Sequence, residues 1–184
     1  APLWDAKLRS AWARRMVNLV ERCGWAEQDS LGILQLWDRP SAGSLAARSV
    51  APALAAWDAW TLARYGDAAQ RAAAWAEPDA FDCGAEGGQP CPPSDAELCA
   101  AAAASQRVAD YRDFVDAQAS AAVAEVATVL RGAAPRALLT VSLAAAADAP
   151  PDVSAAACAQ RGAAARRLGP GAALDLLLVQ ARPW

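Results

Sequence analysis

The sequence predicts an α/β chain of three parallel strands and long helices, rich in alanine. Three observations lead there. A stretch with helical periodicity followed by a short strand-like run recurs three times along the chain. The clearest of these runs, Leu31–Pro40 (LGILQLWDRP), is almost continuously apolar through Leu31, Ile33, Leu34, Leu36 and Trp37, as expected of a strand buried on both faces. Glycine and proline punctuate the joins, at Gly24, Pro40, Gly132, Pro135 and Gly169-Pro170-Gly171.

Taken in order, Leu8, Trp12, Met16, Leu19 and Cys23 fall at helical spacing on one face. Lys7, Arg14, Arg15 and Glu21 lie mostly away from that face, and Gly24 supplies the stop. The run ending at Trp37 is the first strand, closed by Pro40 because proline cannot donate to a ladder. Pro52 to Arg64 reads as a helix carrying Leu54, Trp57 and Leu62, and Asp67 caps a further helix to Trp75. Ser94 and Glu97 form a capping box that opens one long helix through Leu98, Val108, Tyr111, Val115, Val123, Val126 and Leu130. Gly132 and Pro135 end it. Arg136 to Leu143 (RALLTVSL) is the second strand, followed by a loop (AAAADAPPD), a helix capped by Ser154 that runs to Arg167, and the last strand from Asp175.

Composition narrows the function classes. Seventeen Lys and Arg against 20 Asp and Glu give a net charge of −3, with no basic run long enough to make a nucleic-acid face. Hydrophobic residues reach 55%, but much of that is alanine, which forms helix readily and adds little core volume. No apolar stretch is long enough to span a bilayer, and Ala1-Pro2 opens the chain without a basic and apolar leader. No metal site is expected, since histidine is absent and the cysteines lack paired C-x-x-C spacing.

The residues resemble those of a known family. The segment AWARRMVNLVERCGWAEQDSLGILQLWDRP (11–40) is similar to the third helix and fourth strand of retaining glycoside hydrolases with a (β/α)8 barrel, in which the strand ends in Asn-Glu-Pro. AWDAWTLARYGDAAQRAAAWAE (56–77) resembles a block of the β-galactosidase branch of that clan, as does VADYRDFVDAQASAAVAEVATVLRGAAPRALLTVSL (108–143). DLLLVQARPW (175–184) resembles the sixth strand. The resemblance implies that residues 1–184 are part of one glycosidase-like TIM-barrel domain, from the third helix to the sixth strand. A closed barrel of this kind needs about 250 residues. The chain is therefore expected to be a piece, completed by the remaining barrel segment or by another protein chain.

The departures from that family bear on chemistry. Aligned on Trp37 and Pro40, Asp38 takes the position of the sugar-binding asparagine and Arg39 that of the glutamate acid and base. Arginine is always protonated at ordinary pH and cannot serve as acid or base. Asp38 is the one substitute carboxylate, placed a residue early. At the sixth strand the tyrosine that orients the nucleophile aligns with Arg182, preceded by Gln180 and Ala181. The resemblance thus implies a degenerate, non-catalytic relative with a carbohydrate-binding or structural and assembly role. Trp37, Asp38, Arg39, Gln180, Arg182 and Trp184 line its binding site, no cofactor is needed, and glycan is the ligand. The alternative is a fragment of an active retaining glycosidase, with its acid supplied from elsewhere.

Two residue types remain. Cys83 and Cys91 bracket a Gly- and Pro-rich insertion loop around residues 78–94, and a disulfide between them would close a loop on the order of nine residues. That favours an oxidising, secreted setting, with Cys23, Cys99 and Cys158 left over; the other reading is a set of small buried hydrophobes. Of the eight tryptophans, Trp12, Trp57, Trp60 and Trp75 lie within helices and are expected in the core, whereas Trp37 and Trp184 sit at strand ends. Arg39 has two readings, an ion pair with Asp38 or a loop acid, and a ligand contact.

Overall fold

Asp5 opens the first helix, its carboxylate accepting from the backbone N–H groups of Lys7 and Leu8 at 2.9 and 3.1 Å. In the computed structural model, residues 5–25, 33–38, 50–77, 89–99, 105–144 and 176–180 are described. Their elements are α1 (Ala6–Arg22), β1 (Ile33–Asp38), α2 (Ala51–Tyr65), α3 (Ala68–Trp75), α4 (Asp95–Cys99), α5 (Gln106–Ala133), β2 (Leu138–Ala144) and β3 (Leu176–Gln180). The chain divides into two compact units, one of Ala1–Ser41, Asp116–Asp148 and Arg161–Trp184, the other of Ala42–Val115 and Ala149–Gln160.

The first unit holds the sheet. Helix α1 ends in a Schellman arrangement: Gly24 takes φ +62°, its N–H reaches the Glu21 carbonyl, and the Trp25 N–H reaches the Val20 carbonyl. Glycine suits this left-handed position because it has no Cβ to clash. The three strands are parallel in the order β1-β2-β3. Helix α5 contributes a close-packed face of Ala119, Ala122, Val123, Val126, Ala127 and Leu130, all fully buried, and Leu36 and Leu139 are buried on the strands. Arg9 of α1 bridges to Glu125 of α5 at 2.8 Å.

The buried face of α1 differs from the expected one. Ala13 and Val20 are buried, while Leu8, Leu19 and Cys23 are exposed. Leucines and tryptophan outweigh alanine in a hydrophobicity pattern, yet a small residue allows the closer approach of two helices, so the face is turned from the one the larger side chains mark.

The second unit is held by aromatic packing. Trp57, 1% exposed, stacks on Trp60 and Trp75, each with ring centroids 5.7 Å away. Its edge meets Tyr111 at 5.1 Å, and Phe114 packs against it at 5.2 Å. Asp67 caps α3 through the Gln70 N–H at 2.7 Å. Gly66, at φ +88°, closes α2 with its N–H on the Leu62 carbonyl.

One expected helix is two. The capping box forms as expected, with the Ser94 N–H on Glu97 Oε2 at 2.7 Å and the Glu97 N–H on Ser94 Oγ at 3.2 Å. The helix it opens, α4, spans only Asp95–Cys99. Ser105 lies outside helix and starts α5 afresh, its hydroxyl accepting from the Val108 N–H at 3.3 Å. The alanine run before Ser105 carries no hydrophobic periodicity from which such a break could be read. The expected helix from Ser154 to Arg167 lies outside the described residues.

Candidate functional site

In parallel α/β sheets the loops beyond the carboxyl ends of the strands collect ligands, because all strands point the same way and their ends share one edge. The register defines that edge here. Asp38 pairs with Ser142, which pairs with Leu178, and Gln180 pairs with Ala144 two residues further on. Asp38 and Gln180 thus occupy the same carboxyl edge, with Trp37 one step behind Asp38. With strands about 4.8 Å apart and a rise of about 3.3 Å per residue, their backbones are about 12 Å apart.

The β1 ladder is irregular next to this edge. Gln35 pairs with Thr140 and Trp37 with Val141, so Leu36 is an extra residue in β1. Bulges of this kind increase the local twist and re-aim the side chains beyond them, and they concentrate at sheet edges and beside binding sites. Below the edge, Thr140 of the central strand is fully buried, and its hydroxyl has no hydrogen-bond partner among the described residues.

The chemistry available at the edge is limited by its acids. Among the residues of the three strands, Asp38 is the sole carboxylate. Hydrolysis of a glycosidic bond uses two, one on each side of the scissile bond. The expected site residues Arg39, Arg182 and Trp184 lie outside the described residues, so of the six only Trp37, Asp38 and Gln180 are located, by backbone position alone. Cys91 is buried and disulfide-bonded. Cys23 is free, and Cys83, the expected partner of Cys91, lies outside the described residues.

A second polar constellation is marked by no motif in the sequence. Asp110 of α5 is 0% exposed and accepts from Trp75 Nε1 and Gln106 Nε2, each at 2.8 Å, and from the Tyr65 hydroxyl. Arg64 Nε completes the set at 3.2 Å. Burial raises the pKa of the Tyr65 hydroxyl above its ordinary value, and the Asp110 carboxylate that accepts its proton raises it further. One turn away, Arg107 binds Glu77 at 2.7 Å, Glu97 and the Cys91 carbonyl at 3.2 Å. Burial favours the neutral form of Glu97, but hydrogen bonds from Ser94 and the charge of Arg107 outweigh it and hold its pKa below the usual range. Arg71, also buried, bonds Asp58 at 2.5 Å and Thr61 at 2.7 Å.

Both carboxylate oxygens of Asp110 are taken by the protein, and nothing is left to engage a substrate. This network joins α2, α3 and α5, and Arg107 separately ties the Cys91 backbone to α5; its chemistry is structural. Its sequence signal is no more than polar residues in otherwise apolar helices, since Trp75 and Tyr65 lie 35 and 45 residues from Asp110.

Comparison with protein-family models, with curated proteins and with solved structures gave no match.

Proposed function

We propose that the chain is a glycosidase-like but non-catalytic α/β domain, part of a TIM barrel, that binds carbohydrate at the carboxyl edge of its sheet. The observation that carries this reading is the register: it brings Trp37, Asp38 and Gln180 to one edge with a single carboxylate among the strand residues. A tryptophan supplies a flat apolar face for a sugar ring, and aspartate and glutamine supply the paired acceptors and donors that hydroxyl groups need. The described strand residues carry one carboxylate where a hydrolase uses an acid and base pair, and Arg39 stands where the resemblance expects the acid. A secreted setting accords with the disulfide at Cys91, and the partner that completes the barrel is a further segment or another chain.

A glycan array probed with the wild-type chain and with Trp37→Ala tests the binding half of this reading. Specific glycan binding that Trp37→Ala abolishes is the expected result. No glycan binding, or binding unchanged in Trp37→Ala, contradicts it.

A further inference from the structure

Helix α1 presents a surface that neither the sheet edge nor the aromatic core uses. At 100° per residue, Leu8, Arg15, Leu19 and Arg22 fall within an arc of about 60°, on a flank well away from the buried Ala13 and Val20. Along the axis they alternate apolar, cationic, apolar, cationic over about 21 Å. All four are exposed, Leu8 at 46% and Leu19 at 45%. Lys7 and Arg14 widen the cationic margin, and Glu21 is the lone acid of the helix. Lys7, Arg14, Arg15 and Arg22 make no ion pair among the described residues, in contrast to Arg9, which is bound to Glu125.

We propose that this flank of α1 docks an acidic amphipathic helix of a protein partner, with leucine-type side chains seated between Leu8 and Leu19 and carboxylates paired with Arg15 and Arg22. Charge complementarity and spacing select that occupant. A second copy of the same flank would bring arginine against arginine. A lipid surface calls for a broad continuous apolar face that sinks several ångströms into the headgroup boundary, and here the broad apolar face, with Ala13 and Val20, is already buried within the protein. A helix about three to four turns long matches the length of the stripe, and apolar seams flanked by opposite charges are how paired helices choose partners. This inference is independent of carbohydrate binding, since it uses no residue of the sheet.

The test is fluorescence anisotropy of a labelled peptide of about 20 residues with a leucine seam flanked by glutamates, titrated with the intact chain. A matched peptide with glutamine for glutamate, and phosphatidylserine vesicles, are run beside it. The expected result is saturable binding of the acidic peptide, weakened by salt, absent for the glutamine peptide, and about tenfold weaker for the R15E/R22E variant. Circular dichroism of R15E/R22E is expected to match the wild type, because both side chains are exposed. Absence of saturable binding, equal binding by R15E/R22E, or capture of the vesicles in preference to the acidic peptide would overturn the proposal.

Discussion

Asp110 is the residue on which the second unit depends most. Its carboxylate is fully buried and gathers donors from Tyr65, Trp75, Gln106 and Arg64, so the cost of removing it from water is met only while all of them remain in place. Asp110→Asn turns one acceptor oxygen into an NH2 group that faces other donors and strips the charge opposite Arg64. The expected loss is about 3 kcal/mol in chemical denaturation, far above that of an exposed Asp→Asn change. Tyr65 adds a pH dependence. Because its folded pKa is raised above 10.0, the hydroxyl contributes stability that is fully present below that value and is lost as pH rises through the higher folded value. Thermal midpoints measured from about pH 8 to about pH 11 are expected to fall more steeply for the wild type than for Tyr65→Phe; parallel curves would contradict the assignment. These residues are illegible in the sequence for a physical reason. A buried carboxylate is recognisable only through its partners, and these lie on helices whose packing no local periodicity reveals.

At the level of elements, local signals carry most of the information. Asp5, Asp67 and the Ser94–Glu97 box cap helices as their side-chain chemistry dictates, and Gly24 and Gly66 adopt the positive φ that ends them. Where the signal is alanine, legibility stops. Alanine favours helix without marking a face or an end, so the break at Ser105 and the buried face of α1 at Ala13 emerge only in three dimensions. If Ser105 is a true cap, Ser105→Ala removes the acceptor of the Val108 N–H and is expected to cost about 1 kcal/mol. Were the chain one continuous helix through this point, alanine would instead stabilise it, and the sign of the change in unfolding free energy distinguishes the two.

On the scale of the whole molecule, three parallel strands and their register connect the sequence to the proposed function. The strand positions are legible because apolar runs bounded by glycine and proline are short and distinct, and Trp37, Asp38 and Gln180 can be placed at strand ends for the same reason. Pairing order and the extra residue at Leu36 are not, since they depend on contacts between distant segments, Ile33 with Leu138 and Thr140 with Leu176. The barrel context rests on resemblance; at the edge, one carboxylate among the strand residues, with an arginine following it in sequence, is what supports the proposal of sugar binding without cleavage. The most direct measurement is turnover of a panel of aryl glycosides, galactosides among them, by the wild-type chain and by Asp38→Asn. No release of the aryl group by either protein is the predicted result, and turnover by the wild type that disappears in Asp38→Asn would contradict it.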